Sequence, residues 1–151
     1  MPASYRAALK EMTGSAEMIL RPSIGHSCIE AWPVPHFNDL EKDLQALDVL
    51  SEEYEDMATA IYGDAYPVEF DKDGRILLPE NLIRHAGLTD AVVFMGRGSI
   101  FQIWEPAAAA ARAVEARQRT KLRKQAAPVA QAVPEPAAPE PAAPAAVAAG
   151  E

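Results

Sequence analysis

A single cysteine, Cys28, stands in the 151 residues, so no disulfide can form within the chain, and a reducing compartment fits. No apolar run reaches the ~20 residues that span a bilayer. No basic segment followed by an apolar core opens the chain, so no signal peptide is expected. Histidine is scarce at three residues. His26 lies two positions from Cys28 and His36 follows, but without a second cysteine or paired ligand spacing no structural metal is expected. Cys28 reads instead as a small buried strand residue, and His85 as a surface or packing residue. There is no activated nucleophile, glycine-rich phosphate loop or cofactor fingerprint. Neither catalysis, nor a cofactor, nor a small-molecule ligand is expected. The default is a soluble cytoplasmic protein with no membrane partner.

Charge is lopsided. The net value of −8 argues against nucleic acid only if it is spread evenly, and it is not. Residues 1–106 carry 8 basic and 18 acidic groups, whereas 107–124 carry six basic groups against Glu115 alone. Much of the acid lies in 39–56, opposite an apolar stripe. It reads as a solvated helix face or as an acidic interaction surface. Exposed charges are screened over about 10 Å at 0.1 M salt, so local patches outweigh the total. The stretch 107–124 reads as a basic C-terminal helix. Its cations either complement the helix dipole or touch DNA non-specifically.

The last residues, 125–151, are almost wholly Ala, Pro, Val and Glu, a composition that blocks helix hydrogen bonding and offers nothing large to bury. They are expected to be disordered. Upstream, 3–10 reads as a short helix with Gly14 as breaker, and 16–20 and 28–32 as strands. Apolar residues from Phe37 to Ile61 at steps of three and four predict a helical pair. Asn38 with Glu41, or an earlier start at Pro35, opens the first helix, and Ser51 caps the second. Val68–Phe70 and Ile76–Leu78 flank Asp-Lys-Asp-Gly-Arg, a strong hairpin signal. Pro79 then starts a short helix that Gly87 ends. Residues 91–96 and 100–104 read as strands.

Two stretches repeat. Pro2-Ala3-Ser4-Tyr5-Arg6 falls on Pro79-Glu80-Asn81-Leu82-Ile83, and Ile29-Glu30-Ala31-Trp32 falls on Phe101-Gln102-Ile103-Trp104. Each half runs proline, short helix, strand, turn, strand, tryptophan, then helix. Two copies of one unit sharing a core are expected. Trp32 and Trp104 read as packing residues. Only the second copy has a hairpin before its proline. The first is expected to have lost one, through a late start assignment, a truncation or gene decay.

The ordered pair of motifs, "DKDGRILLPENLIRHAGL" and "FQIWEP", resembles the second half of the MraZ family, bacterial transcriptional regulators of SpoVT/AbrB-like type. The resemblance covers roughly 1–124. Members carry two Asp-x-x-Gly-Arg-x-x-x-Pro motifs. Here the second is complete as Asp71, Gly74, Arg75 and Pro79, whereas the first keeps only Pro2 with Tyr5-Arg6. The family often has Arg where Ile83 stands, and Arg84 comes one place later.

The resemblance implies an α+β fold of two pseudo-repeated SpoVT/AbrB-like halves. The first (1–60) is incomplete and carries the helical pair, and the second spans 61–106. It also implies a nucleoid-associated, ring-like homo-oligomer that binds double-stranded DNA at repeated promoter boxes of the division and cell-wall gene cluster and represses it. Lys72, Gly74, Arg75, Arg6 and Arg84 are the expected DNA-binding residues. On residue types alone Arg75 has two readings: a guanidinium offered to phosphate or guanine, or a partner of Asp71 or Asp73 that pins the turn. An assembly module that has lost DNA binding is the rival function, and an antitoxin is a further one.

Overall fold

In a computed structural model, residues 1–126 are described. The tail expectation for 127–151 lies outside them. Contacts gather Met1–Ala116 into one compact unit, with a second beginning at Arg117.

Pro2 fixes the entry to α1 (Ala3–Thr13), and Gly14 ends it at φ 70°, a left-handed conformation that glycine adopts without steric cost. Strands β1 (Glu17–Pro22) and β2 (Ile29–Pro33) follow as an antiparallel pair. The helical pair is α2 (Val34–Leu44) and α3 (Glu52–Tyr62). Helix α2 starts on the prolines, with Pro33 as its N-cap, and not on Asn38. Two prolines pre-set the backbone there, so no side-chain cap is required. Ser51 does cap α3, accepting from Tyr54 N at 3.1 Å.

Strand β3 (Tyr66–Glu69), α4 (Glu80–Ala86), β4 (Val93–Arg97), β5 (Ile100–Trp104) and α5 (Pro106–Ala126) complete the described chain. Helix α5 runs two residues past Lys124. Its first turn is capped by the Glu105 carboxylate, which accepts from Ala108 N at 2.8 Å. The backbone N–H groups of Ala107 and Ala108 hold that carboxyl below its usual range.

All strands join one antiparallel sheet in the order β3-β1-β2-β5-β4. The expected hairpin around Gly74 forms only its turn. Strand β3 pairs with β1, Glu69 opposite Glu17, while Ile76–Leu78 stay outside any ladder. The side chains explain the difference: Ile76 and Leu78 pack against the main core, whereas Leu77 is 88% exposed. Their alternation therefore serves burial against the main core and not strand pairing.

Each sheet face has its own cover. Met18, Leu20, Ile29, Ala31, Phe101 and Ile103 form the main core with Leu9 of α1 and Leu82 and Ala86 of α4. On the opposite face, Ile19 and Trp32 meet Phe37, Leu44 and Ile61 of the helical pair, and Trp104 meets Cys28 and Ala109. Cys28 lies just ahead of β2, not within it, and is buried. Between these two apolar groups runs a buried polar band of Arg21, Ser23, Glu30 and Gln102.

The central pairing carries the repeat. Ile29, Glu30 and Ala31 stand opposite Ile103, Gln102 and Phe101. With Glu30 equivalent to Gln102 in sequence, the pseudo-two-fold axis passes through that pair. Local bonding matches as well: Trp32 Nε1 donates to Glu30 Oε2 at 3.1 Å, and Trp104 Nε1 donates to Gln102 Oε1 at 3.2 Å. The charge does not match. Arg21 faces Glu30 across β1–β2, whereas Met95 faces Gln102 across β4–β5.

Candidate nucleic-acid interface

The turn at Asp71–Arg75 is built by one carboxylate. Asp71 Oδ1 accepts from Arg75 N at 2.7 Å and Asp73 N at 2.9 Å, a side chain standing in for backbone partners. Gly74 N donates to Asp71 O at 2.9 Å, and Asp71 N to Arg75 O at 3.0 Å. Gly74 sits at φ 76°. It is also buried, because the Arg6 side chain of α1 lies across it, and an added Cβ would collide with the guanidinium. Glycine is thus required twice here, for backbone conformation and for close approach. The Met1 ammonium donates to Gly74 O at 2.8 Å.

This approach gathers cations that are far apart in sequence. Arg6, Lys10 and Lys72 line one depression between α1 and the turn. Arg75 stands at the turn's exit with its side chain 78% exposed, its Nη1 at 3.4 Å from Asp73 Oδ2. Of the two readings of Arg75, the structure shows the local acidic partner, Asp73, in a solvent-exposed pair that contributes only ~0–1 kcal/mol. Asp71 is committed to the turn through the bonds its Oδ1 accepts.

Arg84 is elsewhere. It pairs with Glu80 at 3.3 Å on the exposed side of α4, 76% exposed. The next residue, His85, brings its Nε2 to 3.1 Å from His26 O in the β1–β2 turn. That turn follows Pro22, while the Asp71 turn lies beyond Glu69, which pairs with Glu17. Arg84 and Lys72 thus lie toward opposite ends of β1. Ile83, where the family often carries arginine, packs against the main core.

Comparison with known proteins fits the motif reading. The family model described as "MraZ protein, putative antitoxin-like" matches residues 61–127. A protein named "Transcriptional regulator MraZ" from Gluconacetobacter diazotrophicus is 54% identical over 123 residues, covering 80% of this chain and 78% of that one. The chain belongs to the MraZ family. A second protein of that name, from Gluconobacter oxydans, is also 54% identical, with 75% of its length covered. One from Rickettsia akari is 43% identical over 107 residues, 70% of each chain.

The MraZ family match from 61 onward holds the turn, α4 and the last two strands, whereas Arg6 and Lys10 lie upstream of it. Lys10 was not among the residues expected from sequence. Its signal was present, since it sits four residues after Arg6 and so on the same face of α1. Among the described residues, no helix is long and apolar enough to cross a membrane. Burial pushes the Cys28 thiol up to about 11, which keeps it protonated and unreactive at neutral pH.

Proposed function

We propose that this MraZ chain is a sequence-specific DNA-binding transcriptional regulator that acts as a repressor. The supporting observation is the Arg6–Gly74 contact, which sets α1's Arg6 and Lys10 beside Lys72 and the exposed Arg75. Lysine and arginine at a glycine turn meet phosphates, and the exposed guanidinium at its exit suits the O6 and N7 of guanine. Arg84, away from this group, is assigned a backbone contact on a neighbouring stretch of duplex.

One such module is weak, on the order of 10⁻⁴–10⁻⁶ M without sequence readout. A ring-like homo-oligomer on repeated promoter boxes raises effective affinity by about 10²–10⁴ when the spacing matches. From the resemblance we infer boxes ahead of the division and cell-wall gene cluster, and association with the nucleoid.

The test is a salt series with the chain's own upstream DNA. The four phosphate-contacting cations Arg6, Lys10, Lys72 and Arg84 give a log–log slope of about −3.6 for each engaged subunit, and Lys72→Ala makes it shallower by about 0.9. Arg75→Ala instead costs about 1–3 kcal/mol on the specific site with little change in slope, and oligomer mass is unchanged in both. A flat response with assembly intact refutes the DNA reading and favours the assembly module, a role to which the exposed Leu50 and Leu77 are suited.

A further inference from the structure

Glu30 lies on the sheet face opposite α1 and is 3% exposed. Its Oε2 accepts from Arg21 Nη2 at 2.8 Å and Trp32 Nε1 at 3.1 Å. Its Oε1 accepts from Ser23 Oγ at 3.0 Å and, more loosely, from Arg97 Nη1 at 3.3 Å and Gln102 Nε2 at 3.4 Å. Five donors crowd two oxygens that offer about four lone-pair sites.

Donors are still left over. Arg21 Nε and Nη1 are buried and have no hydrogen-bond partner in the protein. The Arg21 side chain is only 7% exposed and sits over the Trp32 ring, its guanidinium carbon 5.3 Å from the centroid. Leaving buried N–H groups of a charged side chain without an acceptor is costly. Arg97, by contrast, is 63% exposed, and its loose bond to Glu30 leaves it free to swing. Arg21, Ser23, Glu30, Trp32 and Arg97 line one depression. Two guanidiniums against a single carboxylate leave an excess positive charge in a site with spare donors and no spare acceptor.

We propose that this depression binds a small oxyanion, a phosphate or carboxylate group, held between Arg21 and Arg97 with Ser23 beside it. Arg97 turns from Glu30 to the anion, and Arg21 tilts into the depression to bring it the N–H groups that otherwise lie buried without an acceptor. Guanidinium forks suit both oxyanions in bidentate fashion. Water satisfies a hydrogen or two of Arg21 but leaves the excess charge in place. The site lies across the sheet from α1, so it is distinct from the turn at Gly74.

The test uses the full chain without DNA, at ionic strength held constant with sodium chloride. Thermal unfolding is followed against inorganic phosphate in one arm and acetate in the other. A saturable rise in Tm is expected in at least one arm, and the responding arm identifies the group. Arg97→Gln, at an exposed side chain, should weaken the apparent affinity by about tenfold, the loss of one charge-assisted hydrogen bond. Ser23→Ala should weaken it less, and Arg75→Gln at the distant turn should leave it unchanged. No saturable rise in either arm overturns the proposal. So does a rise that survives Arg97→Gln, or one that Arg75→Gln abolishes.

Discussion

Replacing Glu30 by glutamine should be among the most damaging single changes in the molecule, and adding Arg21→Met to it should repair much of the damage. Glutamine keeps the volume and can still accept from Trp32 or Ser23, but it removes the charge that faces Arg21 at 2.8 Å. Arg21 is 7% exposed, so most of its guanidinium stays out of water when Glu30 loses its charge. Breaking a buried ion pair from one side costs ~3–5 kcal/mol, a large share of the ~5–15 kcal/mol that holds a domain folded. The exposed Arg97 adds little, because a pair open to solvent contributes only ~0–1 kcal/mol.

The repeat supplies the remedy. Its second half has Met95 opposite Gln102 where the first has Arg21 opposite Glu30. The double variant Arg21→Met/Glu30→Gln therefore rebuilds an arrangement the same sheet already accommodates, and replacing a buried pair by apolar groups is often neutral or stabilising. Urea unfolding of the parent, both single variants and the double variant, followed by tryptophan fluorescence, closes a double-mutant cycle. A coupling of about 2 kcal/mol or more between the two sites is expected, within the usual range for residues in contact. Additive losses, or a Glu30→Gln cost below about 1 kcal/mol, would refute the view that charge compensation holds this band together.

Gly74→Ala should cost about 1–2 kcal/mol for the left-handed backbone alone. It should also weaken DNA binding, because the new methyl displaces Arg6; circular dichroism melts and anisotropy titrations measure the two effects separately. Ser51→Ala should remove the cap of α3 at ~1 kcal/mol, lowering Tm by about 4 °C. Cys28 should resist iodoacetamide at pH 8 and react promptly in urea. Its thiol, raised from 9.0 to about 11, adds stability that is whole below pH 9 and lost as pH rises toward 11. A melting temperature that holds steady across that window would contradict this.

What could be read ahead of the structure depended on distance along the chain. Gly14, Gly87 and Ser51 mark helix ends through bonds closed within a few residues, and those ends stand where expected. The apolar spacing of Phe37, Leu44 and Ile61 placed the helical pair for the same reason. One local reading failed where a tertiary preference prevailed: the main core drew Ile76 and Leu78 away from a strand ladder. Of the two starts offered for α2, the earlier one on the prolines is the one that forms. In the candidate interface, Gly74 and its turn were legible, whereas Lys10 was missed because it comes beside Lys72 only in the folded chain.

The sequence by itself determined the helices and strands that form, in their order, though it also marked 76–78 as a strand. It determined the turn at Gly74 and the doubling of the unit as well, since caps, turns and periodicity are written in neighbouring residues. Only the tertiary structure decided that Arg6 of one half lies over Gly74 of the other, and that Glu30 meets Gln102 on the pseudo-two-fold axis beside an unevenly charged Arg21. Those contacts depend on strand register and on how α1 closes over the sheet. Both are set by burying the whole core together, which no short stretch of the chain encodes.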